Sequence, residues 1–153
     1  MLIQREDAEL KRFVFCGSGR VVAKDGQSPL VRTVTNGTTR IGFGVLTGST
    51  INRKMERTYQ TIPCAVYSNS IGRMLYDVAL TLKKNDVVFI AGYKHDSVYT
   101  DQATGEQKKS VEYRLEFLLP LRVFKKYIQE VDEESIPTKN KVAEIEEDDG
   151  CSF

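Results

Sequence analysis

The chain has no tryptophan, a single histidine (His95), three cysteines, four prolines and no long apolar run. Each scarcity excludes something. Cys16, Cys64 and Cys151 lie far apart with no CxxC pairing, and His95 stands alone. The closely spaced ligand pairs of a structural zinc site are therefore missing, and reduced structural thiols are the expectation. No stretch reaches the roughly 18 apolar residues that a membrane-spanning helix needs. The opening MLIQREDAELKR is charged throughout and lacks an apolar signal core, so the expected location is the cytoplasm. Catalytic groups are equally sparse. His95 has Asp96 and Asp101 nearby but no cysteine with a supporting partner, and no carboxylate pair for metal-dependent cleavage is evident. The expectation is a non-enzyme that needs no cofactor or metal.

What the sequence does have is charge in two opposed blocks. Residues 1–127 hold 20 Lys+Arg against 12 Asp+Glu, a surplus of +8, while residues 128–153 hold 2 against 9, a surplus of −7. A basic body suits a polyanion, and an acidic tail separated at one boundary suits a different task. The tail, DEESIPTKNKVAEIEEDDGCSF, has a single aromatic residue at its end. With so little apolar surface, residues 128–153 are expected to be a disordered linker and acidic tail.

The body reads as short strands broken by turns. FVFCGSGRVV is a strand with a glycine-marked bend. Asn36–Gly37 is a tight-turn signal between extended runs. In TRIGFGVL, Ile41, Phe43 and Val45 alternate with Arg40, Gly42 and Gly44. GSTINRKMER is a basic loop. In TYQTIPCAVYS, Ile62, Cys64 and Val66 share the core face, and Tyr59, Thr61, Pro63, Ala65 and Tyr67 share the other. Pro63 lacks a ladder donor, which predicts a bulge or a local edge. SIGRMLYDVALTLKK has the 3.6-residue apolar spacing of one helix. VVFIAGYK is a further strand, with Phe89 and Tyr93, like Phe43, expected in the core. HDSVYTDQATGEQKKSVEYRLEF is a long hairpin with its tip near Thr104–Gly105.

Three strands, a helix and two strands is the order of a five-stranded OB-fold Greek-key barrel, an all-β fold with one helix. The expected layout is an N-terminal extension over 1–12, the barrel domain over 13–127 and the acidic tail over 128–153. From TNGTT through KKNDVVFIAGY to VYTDQATGEQ, the chain resembles the bacterial and phage single-stranded DNA-binding proteins. The matching features are Asn36–Gly37, the basic loop Arg53 to Arg57, Tyr59, Lys83 to Asp86, Val88–Ile90–Gly92, and Tyr99 to Gly105. The acidic tip Asp148–Asp149 with terminal Phe153 matches as well, whereas Gly150–Cys151–Ser152 departs from the family's apolar-and-proline tip. Tyr59 and Tyr99 stand where that family commonly has tryptophan. These departures suit a phage- or plasmid-borne member.

The resemblance implies binding and protection of single-stranded DNA in replication and recombination, homo-oligomers (tetramers, or else dimers), and partner proteins recruited through Asp148, Asp149, Cys151, Ser152 and Phe153. The chemistry of such a surface is a basic groove with flat rings on which bases stack. Tyr59 and Tyr67, opposite the core face of their strand, are the stacking candidates. Tyr67 alternatively caps the core or a subunit interface, and Tyr99 either stacks or braces its hairpin. Arg40, Arg53, Lys54, Arg57, Arg73 and Lys94 are the phosphate-binding candidates. Two other readings remain open: an OB-fold adaptor for protein or RNA, and a small DNA nuclease using His95 or Asp96.

Overall fold

A computed structural model describes residues 1–69 and 73–135 of the chain. Met1–Leu121 form one compact unit, and the described residues from Arg122 onward belong to another. The first unit is mostly β, with seven strands: β1 (Leu2–Asp7), β2 (Arg12–Val22), β3 (Val31–Thr35), β4 (Thr38–Ile51), β5 (Arg57–Tyr67), β6 (Val87–Thr100) and β7 (Gln107–Pro120). Helix α1 (Arg73–Leu80) lies between β5 and β6, and α2 (Leu121–Ser135) follows β7.

The strand order is β1-β2-β6-β7-β5-β4-β3, and β2 also pairs with β4. Pairing therefore runs from β2 through β6, β7, β5 and β4 back to β2, an arrangement consistent with an OB-like barrel. Two seams of that ring are narrow. β2 meets β4 only over Arg20–Val22, and the parallel β5–β7 seam pairs only Cys64 and Ala65 with Tyr113 and Arg114.

The count of strands exceeds the expected five because two segments find partners outside the ring. Residues expected as an N-terminal extension form β1, whose Leu2–Asp7 pair antiparallel with Arg12–Gly17 of β2. Charge along this segment did not prevent pairing, since an outermost strand can leave its charges in water. β3 pairs with the start of β4 through a two-residue turn at Asn36 and Gly37. Both turn residues have positive φ (50° and 77°), the geometry that matches the twist of a hairpin.

One helix was expected, and the described residues contain two. Residues 128–135, expected in the disordered tail, continue α2. Val123, Phe124, Tyr127, Ile128 and Val131 recur at helical spacing, and Lys126 lies 3.9 Å from Glu130 one turn on. A tail judged by its composition alone conceals that short periodic stretch at its start. The acidic tip and its five candidate residues lie outside the described residues.

The core forms where the alternation predicts it on β4 and β5. Ile41, Phe43, Val45, Ile62, Cys64 and Val66 are all buried, joined by Phe15, Val21, Val88, Ile90, Tyr113 and Leu115. Each fully buried aliphatic side chain contributes roughly 1.5–3 kcal/mol. Burial pushes the Cys64 thiol pKa far up, in keeping with an inert structural thiol. Pro63 sits just before the short β5–β7 seam, where β5 has only β4 beside it. Its missing N–H thus costs no ladder bond on the open side.

β6 departs from expectation. Val88 and Ile90 point inward, so Phe89 is 38% exposed and Tyr93 only half-buried. A nearly continuous apolar run carries no parity signal, and the inward set is decided by the partners. A bulge between Ala91 and Gly92 shifts the β6–β7 register, which leaves Phe117 exposed while Tyr113, Leu115 and Leu118 stay buried. Gly92 is required there, because a Cβ at this position would lie 1.9 Å from the Arg114 carbonyl oxygen.

Candidate nucleic-acid interface

Four strands bring side chains together on the outside of the barrel. Arg40 of β4 stands opposite Tyr67 of β5, Ala65 of β5 opposite Arg114 of β7, and Arg114 opposite Tyr93 of β6. Directly opposed residues share a face, so Arg40, Tyr67, Arg114 and Tyr93 form a row across the sheet.

Glu112 ties this row together. Arg40 Nε and Arg114 Nε donate to opposite oxygens of its carboxylate, and the Tyr67 hydroxyl donates to Oε2 at 2.8 Å. The Arg114 guanidinium lies 5.1 Å from the Tyr67 ring centroid. Partial burial pushes Glu112 up, but the hydrogen bonds from Arg40, Arg114 and Tyr67 outweigh it and hold the carboxyl below the usual range. Burial, reinforced by the adjacent carboxylate, pushes the Tyr67 phenol up. Glu112 is thus ionised, and the two arginines with one carboxylate carry a net +1 at neutral pH.

The row opens on grooves at both sides. On the Arg40 side, a groove of about 450 Å³ has Gly42, Gly44, Thr61 and Pro63 as its floor. On the Arg114 side, one of about 480 Å³ is lined by Tyr67, Asn69, Tyr93 and Arg114. Glycines in the first floor leave the backbone low, although the Arg40 guanidinium itself lies over Gly42.

Tyr59 occupies a different part of the surface. It is 60% exposed near the start of β5, opposite Ser49. With Arg57, Arg20, Leu46 and Gly48 it lines a third groove of about 520 Å³. Arg53 and Lys54 lie on the turn joining β4 to β5, where the Asn52 side-chain oxygen accepts from the amides of Lys54 and Glu56. This Asn52-braced turn carries the basic loop that the sequence marks.

The remaining candidates are dispersed. Tyr99 is 51% exposed near the end of β6, opposite Lys108. Lys108 pairs with Asp101 at 2.6 Å, and that hydrogen bond, followed by one from the Ala103 amide, holds Asp101 below the usual carboxylate range. Arg73 is the exposed first residue of α1. Lys94 of β6 reaches over the Phe13 and Tyr113 rings at 4.9 and 5.5 Å.

The expected set therefore divides. Arg57 and Tyr59 come together, as do Arg40 and Tyr67, whereas Arg73, Lys94 and Tyr99 belong to neither group. Tyr67 is less free than expected, since its hydroxyl is bonded and Arg114 lies by its ring. Sequence reasoning passed over Arg114, Glu112 and Arg20. Glu112 and Arg114 alternate with inward residues on β7, which marks them as outward, but their meeting with Arg40 depends on nonlocal pairing. Among the described residues no group of three His, Cys, Asp or Glu side chains gathers that could hold a metal ion.

No protein-family model matches the chain, and no curated protein matches it. Among solved structures, it is similar to a small single-stranded DNA-binding protein from Streptomyces coelicolor. The identity is 14% and the TM-score 0.47, over 71% of this chain and 94% of that one.

Proposed function

We propose that this chain is a five-stranded OB-fold protein that binds single-stranded DNA without reading its sequence and protects it during replication or recombination. The observation that carries the reading is the exposed Tyr59 ring beside Arg57 and Arg20 in an open groove. Stacking on a tyrosine tolerates any base, and cations on the same surface neutralise phosphates. The Arg40–Glu112–Arg114 row supplies a second cationic element on the same barrel. In this reading the chain is a homo-oligomer of the cytoplasm, and the acidic tip ending in Phe153 recruits replication or recombination proteins.

Titration with poly(dT), followed by tyrosine fluorescence at several salt concentrations, tests the proposal. The expected result is tight binding that weakens steeply with salt, with duplex DNA bound much more weakly. Tyr59→Ala should reduce affinity about tenfold, within the range of one lost stacking contact, while thermal unfolding stays unchanged. Equal affinity for duplex would count against the reading. Preference for RNA would favour an adaptor, and Mg²⁺-dependent cleavage lost on changing His95 or Asp96 would favour a nuclease.

A further inference from the structure

A fourth groove, which shares only Tyr93 and Lys94 with the residues already placed in the candidate interface, lies where the β1–β2 turn meets β6. It has a volume of about 410 Å³. Lys11, Arg12 and Phe13 come from the β1–β2 hairpin, and Tyr93, Lys94 and His95 from β6. Asp96 is the one acid in the lining.

Three observations give this groove its character. Lys94 approaches the Phe13 ring from 4.9 Å, yet Phe13 remains 38% exposed, so an apolar residue is open beside a cation. The Arg12 guanidinium lies 4.4 Å from the Tyr93 ring centroid, and its Nε is buried with no hydrogen-bond partner. Arg12 has an acidic partner in Glu116 at 3.4 Å, but Lys11 and Lys94 show no ion pair among the described residues. Two ammonium groups, a guanidinium and a partly exposed phenylalanine thus share one groove.

The groove is also continuous with the interface already described. Tyr93 lines both this groove and the one beside Tyr67 and Arg114. The two grooves therefore adjoin at Tyr93. Charge complementarity and this shared wall point to the same occupant for both.

We infer that the groove formed by Lys11, Arg12, Phe13 and Lys94 is a second contact segment for single-stranded DNA, with Phe13 taking a base and the cations taking phosphates. The inference rests on the proposed function and adds to it a site built by the N-terminal hairpin. Strand β1 then serves binding, because it fixes the turn that presents Lys11 beside β6.

The test is a Lys11→Asn/Phe13→Thr double variant, titrated with an oligo(dT) long enough to span both segments, about 16 nucleotides. Asparagine tolerates the positive φ of 49° at position 11, and threonine suits a strand. Long-oligo affinity should fall about tenfold, and the salt slope should shrink by roughly 0.7 for the lost cation. A bromouracil-substituted oligo should crosslink to the peptide carrying residues 11–13 in the wild type. Should the double variant lose its cooperative thermal transition, Lys11→Asn alone carries the salt-slope measurement. Wild-type affinity and slope in a folded variant would overturn the inference and leave the proposed function standing. Absence of any oligo(dT) binding by the wild type would overturn both. Full displacement of the oligo by polyglutamate at equal charge would show a site for anions in general and would overturn the assignment to nucleic acid.

Discussion

Removing the Glu112 carboxylate should be the most informative single change. Glu112→Ala leaves two arginines and a tyrosine hydroxyl without the acceptor they share. A hydrogen bond to a charged group is worth about 1.5–3 kcal/mol net, so three such bonds would set a high ceiling. The ceiling is not reached, because the Arg40 and Arg114 side chains are each 31% exposed and can turn to water. Glu112 itself is only 14% exposed and is the member whose bonds water cannot easily replace. A loss of about 2–3 kcal/mol follows, which for a domain of this size lowers Tm by roughly 10 °C. Urea unfolding of wild type, Glu112→Ala, Tyr67→Phe and the double variant forms a cycle in which Glu112 and Tyr67 should couple by about 1 kcal/mol. A Glu112→Ala loss under about 0.5 kcal/mol, or additivity in the cycle, would refute the idea that this carboxylate organises the row.

The same group predicts a pH dependence. Its folded pKa lies below the unfolded value, so its contribution is complete above the ordinary carboxylate range and disappears as pH falls through the lowered value. Urea midpoints should therefore fall more steeply on the acid side for wild type than for Glu112→Gln, and parallel curves would reject this. Gly92→Ala forces a methyl against the Arg114 carbonyl oxygen and should cost more than about 3 kcal/mol or prevent folding, whereas Gly105→Ala at the hairpin tip (φ 71°) should cost about 1 kcal/mol. Deleting residues 144–153 removes five acidic groups and should leave poly(dT) affinity equal or higher by fluorescence titration. A large loss would mean that the tail helps to hold DNA.

Local pattern carried much of the barrel. The alternation in β4 and β5 identifies the buried set without knowledge of any partner, because a strand buried on one face repeats every two residues. Asn36–Gly37 likewise announces its own turn. Elsewhere the deciding information is nonlocal. β6 is apolar at nearly every position from Val87 to Tyr93, so its inward face is selected by β2, β7 and the bulge at Gly92. Tyr67 lies on the outward face as its parity predicts. That it is tied to a carboxylate follows from the two-residue parallel seam with β7, which no local pattern encodes. β1 is the reverse case: its charges suggest an unpaired leader, yet an outermost strand tolerates them.

On the proposed function, the long strands also bear on how a polymer is captured. β4 and β5 continue their pairing through Ser49–Tyr59 and Ile51–Arg57, past the point where either has another neighbour. β6 and β7 do the same from Asp96 to Thr100. Two-stranded ribbons hold themselves together only marginally, so each arm can swing while the barrel stays rigid. Each arm carries one of the candidate rings, Tyr59 on the first and Tyr99 on the second. On the proposed function, arms that swing apart would admit a strand between two duplex regions, or a closed circle, sideways, with no end to thread.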